Sequence, residues 1–221
     1  MMEEYNRAIY DLCQILSLLA QPMTYIHTDL ADQIQHLKDT NKYAQALKLV
    51  NSILVSDPVN TDALMHIADI NYRQWELTMA SKPIDFLLHQ DPNDPMTLYT
   101  KGILEMEKTH RAEAKKYLQK AIEITKFEHA EIVRAYGVCD FRYGNREKWI
   151  DFLHHALELA PLDAEIITDL VHCYVIQHKY QSAGKYIKYF NNKHTKLQTF
   201  DKKIDYYDEK ITLYHSFIQT L

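Results

Sequence analysis

Glycine and proline are both scarce in this chain, with 4 and 6 in 221 residues. A large sheet with many tight turns needs more of each, so the shortage favours long helices joined by short loops. The four glycines are scattered, which leaves no glycine-rich phosphate loop and no G-x-S-x-G nucleophile elbow. Three cysteines, Cys13, Cys139 and Cys173, are odd in number and widely spaced. No CxxC or HExxH occurs. Buried free thiols in a reducing cytoplasm are expected, with no metal and no cofactor. The longest apolar run near the N-terminus, Ile15 to Ala20, is too short to span a bilayer, and acidic Glu3 and Glu4 precede it; neither a targeting segment nor a membrane span is expected. Cationic excess is missing as well: 25 Lys+Arg stand against 30 Asp+Glu, a formal charge of -5. That argues against general nucleic-acid binding, which depends on neutralising phosphates.

What the chain has is apolar periodicity. Hydrophobic residues make up 47% of it, enough for a folded core, and they recur at helical spacing in a larger period. Ala46, Ala80 and Ala114 are 34 residues apart, as are Pro58 and Pro92, and Trp149 and Ala183. Only the step from Ala114 to Trp149 is 35, which places one extra residue in the loop around Phe127 to His129. Each period reads as two helices. In the first, Leu30, Ile34 and Leu37 precede Tyr43, Ala46, Val50, Ile53 and Leu54. Pro58, Pro92 and Pro161 close the second helices, and Thr61, Asp94 (with Pro95 following) and Asp163 are the expected N-caps of the next first helices. Gly102 and Gly137 on first helices, and the alanines on second helices, let paired backbones approach.

This pattern resembles the tetratricopeptide-repeat (TPR) family, whose period is 34 residues, with small residues at the helix crossing and a proline after the second helix. The resemblance covers about residues 27–197. It implies an all-α, right-handed superhelical solenoid of about five helix-turn-helix repeats. A half-repeat helix at residues 1–22 and a capping helix at 198–221 would flank it, the latter with Phe200, Ile204, Tyr207, Ile211, Tyr214 and Ile218 on one face. Departures from the family pattern are Ile34 and Val171 at the small position, Trp149 in place of alanine, and Pro83 inside a second helix. For Pro83 the expected resolution is a late helix start capped by Ser81, the preceding helix running on through Trp75 and Leu77.

The resemblance implies a non-enzymatic scaffold or adaptor that binds a peptide or partner helix in a concave groove lined by the first helices. By register the groove comprises Asp32 and Gln35; Met65, His66, Asp69 and Tyr72; Tyr99, Ile103 and Met106; Arg134, Val138, Phe141 and Arg142; and Asp169, His172 and Val175. Of these, Met65, Met106, Phe141 and Val175 have packing between repeats as an equal alternative. A subclass grips the C-terminal carboxylate of heat-shock chaperones with Lys, Asn and Arg; here the matching sites are Ala31, Gln35, His66, Asp69 and Thr100, so that function is not implied. A dedicated bacterial secretion chaperone is an alternative. A third reading rests on the basic stretch with Lys179, Lys185, Lys188, Lys193 and Lys196, interleaved with Tyr180, Tyr186, Tyr189 and Phe190, which would meet RNA or an acidic partner; the plainer reading makes the lysines a solvated face and the aromatics core. Acid pairs such as Glu105 and Glu107 read as solvated helix faces. The unpaired helix at the N-terminus would either cap the first repeat or pair with a second copy in a homodimer.

Overall fold

The computed structural model describes residues 28–143 and 149–194, together with Thr212, Leu213, Ser216 and Ile218. The half-repeat at residues 1–22 and most of the segment 198–221 lie outside the described residues. Ten helices and no strand are found among the described residues: α1 Thr28–Asp39, α2 Tyr43–Ser56, α3 Thr61–Arg73, α4 Leu77–Gln90, α5 Pro95–Glu107, α6 Arg111–Ile124, α7 Ala130–Tyr143, α8 Trp149–Leu159, α9 Ala164–Ile176 and α10 Tyr180–His194. Packing divides the chain into two units at Thr109/His110. The first holds α1–α5 and the second α6–α10.

In the first unit, consecutive helices pack against one another in pairs from α1 to α5. Their inward faces carry the predicted periodic residues: Ile34, Ala46, Val50, Leu64, Ala68, Ala80, Ile84 and Leu87 form one buried cluster. Ala46 and Ala80 are fully buried, as close helix crossings require. In the second unit, α6 to α10 pack consecutively in the same way. Ile167, Val171, Ala183, Ile187 and Phe190 make the core between α9 and α10. Ile218, from the predicted capping face, packs against that core.

The ends of the first helices repeat one device. Lys42 N–H reaches Leu37 O, Glu76 N–H reaches Asn71 O, and Lys179 N–H reaches Tyr174 O, at 2.8, 2.9 and 2.8 Å. This six-to-one bond closes a Schellman turn, which needs one residue at positive φ. That residue is Asn41 (φ 56°), Trp75 (φ 65°) and His178 (φ 56°); with so few glycines, side-chain-bearing residues fill the position. The predicted extra residue after α6 also has a backbone basis: Lys126 and Phe127 both take positive φ, at 51° and 62°.

Two local expectations are corrected. The cap of α3 is Asn60, whose side chain accepts from Ala63 N–H at 3.0 Å, not Thr61. Asp94 and Asp163 do cap α5 and α9. Helix α4 starts at Leu77 and carries Pro83 in its interior, while α3 stops at Arg73. Proline lacks the N–H that would reach the carbonyl of Met79. Packing outweighs that lost bond: Ser81, Pro83, Ile84 and Phe86 are all buried. Ser81 is therefore not a cap; its hydroxyl donates back to Leu77 O at 3.0 Å within the helix.

Candidate functional site

In the first unit, the face shared by α1 and α3 is set by an ionic ladder. Lys38, near the end of α1, is only 4% exposed. Its Nζ donates to Asp69 Oδ2 at 2.8 Å and lies 3.2 Å from His66 Nδ1, both on α3. Asp69 also accepts from Arg73 Nε at 3.1 Å, and Arg73 Nη1 reaches Asp39 Oδ1 on α1 at 3.6 Å. Asp39 in turn accepts from Gln35 Nε2 at 2.8 Å. Two cations hold the Asp69 carboxyl below the usual carboxylate range, with burial opposing them. Asp69 and His66 thus act as struts between repeats. Asp32 and Gln35 are exposed beside them, and Met65, Tyr72, Tyr99 and Ile103 are half-buried. Tyr72 also lies 6.4 Å, ring centre to ring centre, from Trp75, which is 66% exposed.

Since an ammonium only donates, His66 Nδ1 must be the acceptor, and the ring proton sits on Nε2. Burial, and then the Lys38 charge, lower the His66 pKa below an imidazole's ordinary value. The unfolded chain therefore binds this proton more readily than the folded one. The resulting stability is fully present above pH 6.5 and is lost as the pH falls below it. Asp69 acts in the same direction only below its own ordinary 3.8. Thermal melts from about pH 7.5 to about pH 5, which bracket an imidazole's ordinary titration, should show a decline that is shallower in His66→Gln; equal declines would mean that His66 does not carry it.

In the second unit, Arg134 on α7 is the matching strut. It donates through Nη1 to Asp169 Oδ2 at 2.8 Å and pairs through Nη2 with Glu165 Oε1 at 3.0 Å, both on α9. Burial raises the Asp169 carboxyl pKa, and Arg134 opposes that rise. Val138 is half-buried, whereas Arg142 and His172 are exposed.

Two predicted groove residues belong elsewhere. Met106 is 4% exposed and part of the interior, so it offers no surface. Phe141 stacks on Trp149, with ring centres 4.1 Å apart and planes 29° from parallel; it joins α7 to α8. Glu105 is also corrected: it is buried and pairs with Lys101 and Lys108 at 3.0 and 3.2 Å. Lys38, Arg73 and Glu165 were missed as site residues. The signal for them was opposite charges about one repeat apart, 31 residues for Lys38–Asp69 and Arg134–Glu165 and 34 for Asp39–Arg73.

The basic stretch separates into two faces on α10. Lys179, Lys185 and Lys188 are exposed, while Phe190 and Ile187 enter the core and Tyr186 stacks on Tyr174. The side chains of Lys193 and Lys196 lie outside the described residues. Tyr186 and Tyr174 bracket His154: Tyr174 Oη is 2.9 Å from Nε2, and Tyr186 Oη is 3.1 Å from Nδ1. Among the described residues no group of three or more His, Cys, Asp or Glu is placed to hold a metal, and no helix is long and apolar enough to cross a membrane.

This arrangement of paired helices is that of TPR proteins. The thermophilic TPR protein TTC0263 of Thermus thermophilus superposes with a TM-score of 0.71 at 17% identity, over 87% of this chain and 98% of that one. PilF of Pseudomonas aeruginosa gives 0.64 at 15% identity, over 87% and 90%. YrrB, described as a TPR protein with an unusual peptide-binding site, gives 0.51 at 15% identity, over 83% and 91%. No protein-family model matches the chain, and no curated protein matches it. The chain has the tetratricopeptide-repeat fold, an all-α solenoid of helix-turn-helix repeats.

Proposed function

We propose that this protein is a non-enzymatic interaction scaffold that takes a peptide or partner helix on the face of its first helices, and that it works in the cytoplasm. The observation carrying this reading is the α1–α3–α5 face. There a ladder running from buried Lys38 through half-buried Asp69 to exposed Arg73 fixes the frame, while Met65, Tyr72, Tyr99 and Ile103 keep part of their surface open to solvent. Methionine and aromatic side chains on a fixed frame suit adaptable contact with apolar residues, and preorganisation lowers the ordering cost of binding. YrrB, with the same fold, has a peptide-binding site. The compartment is supported by Cys139 and Cys173, which are free and buried. Burial raises both thiol pKa values, which keeps them unreactive.

Capture of partners on the full-length protein, with identification by mass spectrometry, supplies the ligand for the test. Tyr72→Ala with Tyr99→Ala should then weaken that partner's affinity at least about tenfold, as loss of an aromatic anchor does, with helix content unchanged. Unchanged affinity in the double variant would exclude the first-helix face.

A further inference from the structure

We infer that the first-helix face of the first unit selects a basic amphipathic helix, with an arginine of that partner seated on Trp75. This rests on the face proposed above as the binding surface and adds the chemistry of its partner. The described lysines and arginines of the unit fall into two groups. Lys38, Arg73, Lys101 and Lys108 stand on first helices or directly after one, and each already holds a carboxylate. Lys42, Lys48 and Lys82 are exposed and hold none among the described residues. Lys42 directly precedes α2, and Lys48 and Lys82 lie on α2 and α4. Carboxylates divide the other way. Helices α1 and α3 carry five aspartates against one lysine and one arginine, whereas α2 has a lysine and no acid and α4 one of each. Lys38 and Arg73 take up Asp69 and Asp39. Exposed Asp32 and half-buried Asp62 pair with no cation among the described residues. Asp62 lies in the first turn of α3, where the helix dipole favours it; Asp32 begins the second turn of α1, past the reach of that dipole. A surplus of carboxylate without an internal counterion attracts a cationic partner and repels an anionic one.

Trp75 is independent of that charge balance. It follows α3 with φ 65° and is 66% exposed. The matching turns place Asn41 and His178 there, residue types that accept positive φ, which a bulky side chain rarely does. Packing within the unit does not account for so large a residue, because most of it faces solvent. A tryptophan face is the best aromatic seat for a guanidinium. Helices α1 and α3 run in the same direction, since Lys38 meets Asp69 and Asp39 meets Arg73. Asp32 and Asp62 therefore fall toward one end of the face and Trp75 toward the other. From Asp62 to Trp75 is roughly 20 Å, which a helix of about 15 residues covers. Cations at one end of such a helix meet the two aspartates, its arginine at the other end meets Trp75, and apolar residues between them meet Met65 and Tyr72.

The test uses fluorescence anisotropy with the full chain and three labelled Leu/Ala helical peptides of about 15 residues. They differ only in carrying arginine, glutamine or glutamate on the polar face. The arginine peptide should bind at least about tenfold tighter than the glutamine one, the glutamate peptide weakest, and the preference should shrink as salt is added. Asp32→Asn with Asp62→Asn should abolish the preference and leave the glutamine peptide's affinity unchanged; Asp32→Glu with Asp62→Glu should keep it. Glu113→Gln with Asp151→Asn, which takes the same charge from exposed positions of the second unit, should not alter it. In Trp149→Phe protein, where Trp75 is the tryptophan left of 2, the arginine peptide should change the emission. The inference is overturned by equal affinity for the arginine and glutamine peptides, by a preference that survives in the Asp32→Asn, Asp62→Asn protein or falls equally in the second-unit variant, or by unchanged Trp75 emission. In those cases the face itself still stands if Tyr72→Ala with Tyr99→Ala weakens the glutamine peptide. If that double variant binds all three peptides as the native chain does, the face fails and the inference with it.

Discussion

Replacing Trp149 with alanine is expected to destabilise the second unit by about 3–5 kcal/mol, the usual range for deleting a buried tryptophan. The ring is 2% exposed and begins α8. It stacks on Phe141 of α7. Its Nε1–H has no acceptor among the described residues, so truncation orphans no partner, and the loss is one of packing and stacking. The space for so large a residue at an alanine position comes from α7. A Cβ on Gly137 would sit 3.0 Å from Phe152 Cβ and 3.3 Å from the Trp149 carbonyl oxygen. The backbones therefore already touch at Gly137, and they do not collapse further when the indole is removed. Trp149→Phe should recover most of the loss. Urea unfolding measures the effect, and fluorescence identifies it: the chain has 2 tryptophans, and after Trp149→Ala only exposed Trp75 emits, giving a spectrum shifted to longer wavelength. A loss under about 1 kcal/mol, the range of substitutions away from tight packing, would mean that the stack does not hold α7 to α8.

Trp149 also marks how far the sequence reading reaches. The 34-residue recurrence identified Ala46, Ala80, Ala114 and Ala183 as crossing points, and all four are fully buried. Within-repeat chemistry is local, so the caps Asp94 and Asp163 could be read from a few neighbouring residues. Asn60 and Thr61 are both competent caps; the choice fell to Asn60 because its amide also donates to Asp57 Oδ2 at 3.0 Å, a contact fixed by the turn. Register could assign Met106 and Phe141 to first helices, but it could not state their exposure. That depends on which helix lies against each face: Met106 is interior to the first unit, and α8 brings Trp149 onto Phe141. The struts were less legible still. Lys38 meets Asp69, and Arg134 meets Asp169, only after two helices and their turns have folded back. A reading that treats each repeat alone sees four separate charges there.

Removal of the Glu105 carboxylate is the second large loss expected, about 3 kcal/mol in the first unit. Glu105 stands on α5, with its side chain 7% exposed, between Lys101 and Lys108 at 3.0 and 3.2 Å. Lys108 Nζ also donates to Ser81 Oγ on α4 at 2.6 Å, and Lys101 Nζ reaches Asp85 Oδ1 on α4 at 2.7 Å. One carboxylate thus joins two cations that both bridge to α4. Burial alone would lower the Lys101 pKa, but hydrogen bonds from Lys101 to Asp85 and Glu105, and the charges of those carboxylates, raise it above its ordinary value. The stability tied to that proton is complete below pH 10.5 and fades only as the pH rises through the raised value, so it is fully present at neutral pH. Glu105→Ala leaves Lys101 with Asp85, which is half exposed and screened by water, and leaves Lys108 with a hydroxyl. The stranded charge accounts for most of the cost. Glu105→Gln, which keeps the shape and an acceptor, should lose less. In Glu105→Ala the further change Lys108→Ala should cost less than it does in the native chain, because it removes the stranded ammonium. A double-mutant cycle by urea unfolding measures this coupling. Additive losses would show that the three charges act separately and that α4 and α5 are held by their apolar contacts alone.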